Sequence, residues 1–314
     1  MTPSKSSGEK IINIKNDIYL YNNMSLSRRE LELKFYKINY FFNIEHYDKS
    51  RENVTKIFND TLFDFFKHHY SERTKFQYDD DNYYQICHLR IKDNYIFARF
   101  YKLKDIQDKE WEHDGDDYIE KPQQKQELID NYIYIDMVTH HAVVETQPIY
   151  SSGKVVKVIE RWYGKHRKYN QTLNFRNLKN KKDFLPLLKE AHKIISAKFT
   201  LYPSNIDIDK LTKGLDDAIH RLKLSKLKQE MKSKQGMNFQ VDEPDLFNSA
   251  LYHSLRGNGD SPQIDIEDER GNVKKISKKI KDIMRIIESV EKPDDLIKFL
   301  KEQLEDVKRE LDEY

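Results

Sequence analysis

The sequence predicts an α+β protein: a mostly antiparallel N-terminal sheet with one early helix, then a mixed region, then C-terminal helices. Three patterns predict this class. Apolar residues alternate with polar ones at Leu31, Leu33 and Phe35, which is typical of a strand with one buried face. Across residues 51–70 the apolar positions fall at helical spacing. From Ile276 onwards they step by three and four residues, which also favours helices.

Two hairpins complete the predicted N-terminal sheet. Residues 83–91 and 95–103 are rich in aromatic and β-branched side chains and are separated by three polar residues, 92–94. Residues 132–138 and 142–147 have the same character, with a turn between them. The β-branched residues 155–161 predict a further strand.

The later part of the chain mixes helix and strand signals. We expect helices at residues 183–196, with Asp183 as the cap, at 207–233 and at 245–256, where glycines end the last one. Strands are expected at 198–202, 239–241 and 263–267, the last running into a turn at 270–272. Two short apolar stripes, one at residues 276–290 and one at 300–311, predict a C-terminal helical hairpin that makes a dimer contact.

These patterns divide the chain into four parts. Residues 1–27 are expected to be a disordered leader and lead-in, and residues 28–182 a sheet domain. Residues 183–275 form the mixed region and residues 276–314 the helical hairpin. The single cysteine, Cys87, excludes an intrachain disulfide framework. With no apolar run long enough to span a bilayer, we expect a cytoplasmic protein without membrane insertion.

Positive charge is concentrated in residues 154–182, although the whole chain carries a formal net charge of only +2. Trp162, Tyr163, Tyr169 and Phe175 lie among these cations, and cations beside aromatic rings are suited to a phosphate backbone with stackable bases. A second basic segment follows at residues 221–234. The cations predicted to contact nucleic acid are Lys154, Lys157, Arg161, Lys165, Arg167, Lys168, Arg176, Lys179, Lys181, Lys182, Arg221 and Lys228.

Acidic residues precede this basic stretch. Residues 105–120 contain eight Asp or Glu side chains, and Asp79, Asp80 and Asp81 form another cluster. Such a polar segment predicts a solvated loop, and the alternative is an acidic mimic of DNA that shields the basic surface. For the function of the whole protein, one alternative is a scaffold or inhibitor that binds protein partners through this acidic segment and the helices.

No motif indicates a reaction, so we predict a binding protein with no cofactor, no metal and no catalytic residue. The glycines Gly257 and Gly259 follow a helix instead of opening one, which does not fit a nucleotide-binding loop. The strongest enzyme alternative is a metal-dependent nuclease in which Asp136 and Glu145, on neighbouring strands, hold a cation. Asp265, Glu267 and Asp268 form a similar cluster.

Three segments carry a resemblance to a known family. They are YYQICHLRIKDNYIFARFYKL, KIISAKFTLYPSNIDIDKLTKGLDDAIHRL and PQIDIEDERGNVKKIS. Their order resembles phage-exclusion proteins of the lambdoid Rex A-component type and related bacterial antiphage-defence domains. The resemblance implies a homodimer that binds double-stranded DNA without sequence preference and acts in antiphage defence with a second protein. It assigns no functional residue.

Overall fold

The computed structural model describes residues 30–41, 51–79, 82–92, 94–114, 117–146, 152–165, 172–180, 182, 185–203, 213–222, 224, 226–237, 245–276, 280–288 and 293–312. They form an α+β protein with two antiparallel sheets. The strands are β1 (Glu30–Phe41), β2 (Phe76–Asp79), β3 (Asn82–Lys92), β4 (Tyr95–Asp114), β5 (Asp117–Asp136), β6 (His141–Thr146), β7 (Thr172–Asn177), β8 (Lys193–Leu201), β9 (Leu227–Met237), β10 (Gln263–Glu267), β11 (Val273–Lys275) and β12 (Met284–Glu288). The helices are α1 (Arg51–Ser71), α2 (Ser152–Lys165), α3 (Leu185–Lys189), α4 (Lys213–Arg221), α5 (Leu246–His253) and α6 (Pro293–Asp312).

The larger sheet has the strand order β12-β1-β6-β5-β4-β3-β2. β7 also pairs with β1, next to β12 along the same edge. Alternate residues of β1 point to opposite faces, so Tyr36 and Ile38 belong to one core and Leu33 and Phe35 to another. The sheet is therefore covered on both faces.

Helices α1 and α2 cover the first face. Phe65 of α1 packs edge-to-face on Trp162 of α2, with their ring centroids 5.7 Å apart. Trp162 in turn stacks on Phe76 of β2 at 5.4 Å. These aromatic contacts fix α2 against α1 and β2, which leaves the opposite side of α2 facing solvent.

Helix α6 covers the second face. The predicted stripe of Leu300, Leu304, Val307 and Leu311 is buried, and it packs in one core with Leu33 and other residues of the sheet. The sequence predicts a dimer contact for this stripe. It is instead part of the core of a single chain, because the sheet supplies the apolar surface that the helix needs.

The smaller sheet has the order β11-β10-β8-β9 and packs on α3, α4 and α5. Its core is formed by Phe199, Leu201, Phe247, Leu251 and Ile264, all at most 6% exposed. The junction with the larger sheet is a π-helical turn, Ser254–Asn258, that continues α5 and contacts β1. This turn brings the two sheets together beside β7.

The predicted strand at Leu31 to Phe35, the early helix, both hairpins, the helix at 245–256 and the strand at 263–267 are confirmed. The predicted loop at 105–120 is wrong, because β4 and β5 continue as a long hairpin to the pair Asp114 and Asp117. The predicted strand at 155–161 is wrong as well, because it is part of helix α2. The leader at residues 1–27 and the predicted strand at 239–241 lie outside the described residues.

Three helix predictions also need correction. The helix expected at 183–196 is only the short α3, and β8 begins at Lys193. The long helix expected at 207–233 is the short α4 followed by strand β9. In place of the first helix of the C-terminal hairpin, β12 pairs with β1, so residues 276–314 do not form a separate helical unit. Helix α6 confirms the second stripe as helical.

None of the helices in the described part of the chain has both the length and the apolar character that a membrane span requires.

A buried ion pair fixes α6 to the β5–β6 turn. Lys308 Nζ lies 2.5 Å from Asp136 Oδ2, and the same carboxylate accepts hydrogen bonds from Thr139 Oγ1 and from the backbone N–H groups of Val138 and Thr139. Burial opposes ionisation of Asp136, but the hydrogen bond and charge of Lys308 outweigh it, so the pKa of Asp136 is lowered.

We expect Lys308→Met to lower the free energy of unfolding at neutral pH by about 2 kcal/mol, because it leaves a buried carboxylate without its cation. Since the folded-state pKa of Asp136 is depressed, the ion pair stabilises the protein above the unfolded pKa and is lost as pH falls through the folded pKa. The loss should therefore shrink as the pH is lowered. Urea titrations at several pH values measure it, with Lys298→Met, whose side chain is 78% exposed, as the control. A loss that does not change with pH would contradict this account.

Candidate nucleic-acid interface

One side of α2 is buried and the opposite side is basic. Lys154, Lys157, Arg161 and Lys165 recur at intervals of three and four residues, which places them on one side of the helix. All four are exposed. From first to last they span about 16 Å, since each helical residue rises 1.5 Å. We call these four residues the α2 ridge.

Two ridge cations lie over aromatic rings of β2. The Arg161 guanidinium carbon is 4.6 Å from the centroid of the Tyr78 ring, and Lys165 Nζ is 4.9 Å from that of Phe76. These cation–π contacts orient both side chains without cancelling their charge. Among the residues that the structure describes, Lys157, Arg161 and Lys165 make no ion pair with a carboxylate. The ridge therefore presents positive charge to solvent.

A cleft of about 360 Å³ opens between α2, β7 and residues 259–261. We call it the α2–β7 cleft. Its lining includes Lys157 of the ridge and two further predicted cations, Arg176 and Lys179. Two carboxylates, Glu160 and Asp260, also line it. The cleft thus continues the ridge, but with charges of both signs.

Arg176 connects the two basic segments of the chain. Its Nη1 donates to Asp260 Oδ1 at 3.1 Å, and its guanidinium lies 4.5 Å from the centroid of the Tyr202 ring. Lys226, just before β9, lies 5.8 Å from the same ring. One cation from each basic segment thus lies near the Tyr202 ring, and a carboxylate partly neutralises Arg176.

Lys179, by contrast, is a structural cation. Its Nζ lies 2.6 Å from Asp282 Oδ1, and Asn177 Nδ2 donates to the other oxygen of that carboxylate at 2.7 Å. Only 12% of the Lys179 side chain is exposed. Lys182 is more open and lies 3.7 Å from Glu310. Of these two lysines, Lys179 is committed to holding the chain near residue 282.

Glu160 is the single acid of α2 and joins the helix to β7. Its Oε1 accepts a hydrogen bond of 2.6 Å from the backbone N–H of Phe175. Burial raises the pKa of Glu160, and the Phe175 N–H and the positive charges of Arg176 and Lys157 oppose that rise. The carboxylate lies in the wall of the cleft and sets the spacing of α2 and β7.

The second basic segment is a strand and not a helix. Along β9 exposed and half-buried residues alternate, and Lys228, Glu230 and Lys232 lie on the exposed face. Glu230 accepts from Lys232 at 2.7 Å and from Lys198 at 3.2 Å, so two of the lysines on this face share one carboxylate. Lys228 stays exposed, as does Arg221 at the end of α4.

The structure therefore brings together only some of the residues that the sequence predicts for the site. Lys157 of the ridge comes together with Arg176 and Lys179 at the cleft, whereas Arg221 and Lys228 lie on separate elements. Trp162, Tyr163 and Phe175 are at most 7% exposed, so the prediction that they stack on bases is wrong. Arg167, Lys168, Tyr169 and Lys181 lie outside the described residues.

The sequence does not indicate that the rings of Phe76, Tyr78 and Tyr202 lie beside cations, because each ring meets its cation only through the fold. Lys226 belongs to the second basic segment but was not among the predicted contact residues. The ridge was different. The three- and four-residue spacing of its cations was visible in the sequence and would have indicated one side of a helix.

The nuclease alternative finds no support in the geometry. Asp136 pairs with His141, and Glu145 lies four residues further along β6, so their backbones are about 13 Å apart. The Asp136 carboxylate is occupied by Lys308 and the turn, and Glu145 Oε2 accepts from the backbone N–H of Tyr132 at 3.2 Å. The two carboxylates are thus committed to different partners.

The carboxylates of the second acidic cluster also have partners within the fold. Asp265 accepts from Ser196 Oγ at 2.8 Å, Glu267 lies 3.5 Å from Lys193, and Asp268 lies 2.7 Å from Lys274. Within the described residues, no group of three or more His, Cys, Asp or Glu side chains could hold a metal ion.

In comparisons with protein-family models and with curated protein sequences, no family and no relative matches this chain. The resemblance to phage-exclusion proteins therefore stays a prediction.

The distinction between structural and exposed cations can be tested by comparing how much their removal lowers the free energy of unfolding. We expect Lys179→Ala to lower the free energy of unfolding by about 1–2 kcal/mol, because it leaves the half-buried Asp282 without its cation. Lys157→Ala should change it by less than about 0.5 kcal/mol, since Lys157 is exposed. Denaturant titrations of both variants make the comparison. Equal losses would show that the ridge also has a structural role.

Proposed function

We propose that this protein binds double-stranded DNA through the phosphate backbone, without sequence preference, and that the α2 ridge is the centre of the contact. The observation that carries the proposal is the alignment of Lys154, Lys157, Arg161 and Lys165 on one exposed side of a helix. Arg176 and Lys226, which meet at Tyr202, extend the same basic region. A polyanion that lies along the ridge would release counterions from several phosphates at once.

The ridge has the dimensions for such a contact. About 16 Å of duplex axis carries roughly nine phosphate charges, so every ridge cation can reach a phosphate. Three of the four cations are lysines, which bind phosphates as point charges. Phosphate contacts fix position and orientation but carry no sequence information directly, which is why we propose nonspecific binding.

The small net charge of the chain, +2, limits the range of this attraction. The interaction must come from the local ridge and not from a field of the whole molecule. We therefore expect binding that is strong at low salt and weakens steeply as salt screens the exposed cations.

The cellular role in antiphage defence, with a second defence protein, is proposed from the resemblance alone. A homodimer also remains a proposal, and it needs a surface other than the α6 stripe, because that stripe is in the core. The scaffold alternative uses the acidic residues 105–120, of which 105–114 and 117–120 lie in the β4–β5 hairpin. No contact of the described residues favours it over the ridge.

The decisive variant is Arg161→Ala combined with Lys165→Ala, which removes two ridge cations that do not line the cleft. The plot of log affinity against log salt concentration should become shallower by about 2, because two phosphate contacts are lost. Fluorescence anisotropy with labelled DNA duplexes between about 50 and 200 mM salt measures this slope. Duplexes of unrelated sequence should lose affinity equally.

The matched control is Lys298→Ala combined with Lys301→Ala, two exposed lysines of α6 on the other face of the large sheet. It makes the same change in net charge and should leave the salt slope unchanged. If the control weakens binding as much as the ridge variant, or if the parent shows no salt dependence, the proposed function is wrong. Tighter binding to an RNA duplex would contradict the choice of DNA.

A further inference from the structure

The α2–β7 cleft has the size of a small-molecule site. Its volume of about 360 Å³ is near the lower end of the range for ligand pockets, roughly 300–1,000 Å³. Three walls enclose it: the first turns of α2 with Gly153 and Val156, the strand residues 174–177 of β7, and residues 259–261. Tyr36 of β1 also lines it. A volume of this kind suits one nucleotide and not a stretch of nucleic acid.

The positive charges of the cleft are placed for one phosphate group. Arg176 uses one N–H for Asp260, and its guanidinium is held in place by the Tyr202 ring, so a fixed fork of further donors remains. Lys157, from the opposite wall, makes no ion pair in the described part of the chain. A phosphate between these two side chains would receive charge-assisted hydrogen bonds from both.

The acceptors of the cleft limit which anion it can take. Lys157 and Arg176 are balanced by Glu160 and Asp260, and the third cation of the lining, Lys179, is paired with Asp282, so the cleft carries no net charge. A ligand with several phosphates would be repelled by Glu160 and Asp260. A ligand with one phosphate and several hydroxyl or amino donors would satisfy both kinds of lining group, and the amides of Asn174 and Asn177 offer further donors and acceptors.

We propose that the α2–β7 cleft binds a single nucleotide that carries one phosphate. Such a group has two sources: a free nucleoside 5′-monophosphate, or the 5′-phosphorylated end of a strand that lies along the α2 ridge. The second source rests on the proposed function, since Lys157 belongs to both the ridge and the cleft. The cleft would then recognise the end of the nucleic acid whose backbone the ridge holds.

Isothermal titration calorimetry with adenosine 5′-monophosphate tests the cleft. We expect saturable one-to-one binding, and binding of adenosine that is weaker by about tenfold because the charge-assisted contacts are missing. Lys157→Ala should weaken binding of the monophosphate about fivefold. Lys165→Ala, on the ridge but outside the cleft lining, should change it less than about twofold and is the matched control.

A second variant, Arg176→Lys, tests the same site without the risk that the protein unfolds. It keeps the charge near Asp260 and removes the planar fork, so it should stay folded by circular dichroism and still weaken the monophosphate about fivefold. Oligonucleotides with a 5′-phosphate or a 5′-hydroxyl then identify the source. A preference for the phosphorylated end assigns the cleft to strand ends, and equal binding assigns it to the free nucleotide.

The outcomes separate this inference from the proposed function. If adenosine 5′-monophosphate gives no saturable binding, or if Lys157→Ala and Lys165→Ala lose the same amount, the cleft assignment is wrong, even when salt-dependent duplex binding persists. If the monophosphate binds as expected but duplex DNA does not, the cleft assignment stands for the free nucleotide and the proposed function is overturned.

Discussion

The burial of β1 on both faces and its pairing on both edges is the constraint on which the candidate interface depends. β6 pairs along one edge of the strand, and β12 and β7 share the other. Tyr36 of β1 donates a hydrogen bond to Ser152 Oγ at 2.7 Å, where α2 begins. Burial raises the pKa of Tyr36 to about 12, against the effect of the Ser152 bond, so the phenol stays protonated and can keep this contact. One strand thus sets the start of the ridge helix and the position of β7 beside it.

The protein separates its cations into two groups by burial. Lys179 and Lys308 are almost covered and are paired with Asp282 and Asp136, because an unpaired charge in such a place would be strongly destabilising. Lys157, Arg161 and Lys165 of the ridge need no such partner, since they are exposed and water solvates them. For Arg161 and Lys165, aromatic rings support the side chains without neutralising them. Cations of the first group hold the fold, and those of the second remain available to a ligand.

The sequence correctly predicted the elements that have a clear hydrophobic period of their own. Its predictions were wrong where contacts with distant residues determine the secondary structure. β1, α1 and the two hairpins have clear periods, and the structure confirms them. Residues 155–161 are rich in valine and isoleucine, which favours a strand locally, but packing of one side of the segment on α1 and β2 makes it a helix. Along β9, exposed and half-buried residues alternate, but the many lysines of this segment hid that two-residue period in the sequence. The apolar stripe at residues 276–290, which contains β12, gave no indication that Glu288 would pair with Glu30. The ridge was predicted as a set of charges, although the three- and four-residue spacing of its cations also fits one side of a helix.

The junction of the two sheets explains why Arg176, Asp260 and Tyr202 meet. Gly257 has a φ of 80°, and a Cβ there would lie 2.6 Å from the Cβ of Lys37 in β1. A Cβ on Gly259 would lie 2.7 Å from the carbonyl oxygen of Thr200 in β8. The chain therefore passes closely against one strand of each sheet, and Asp260 follows directly, where it accepts from both Arg176 and Tyr202. From the sequence, these glycines predicted only the end of a helix. In the fold they also permit the close approach through which the cleft acquires its third wall.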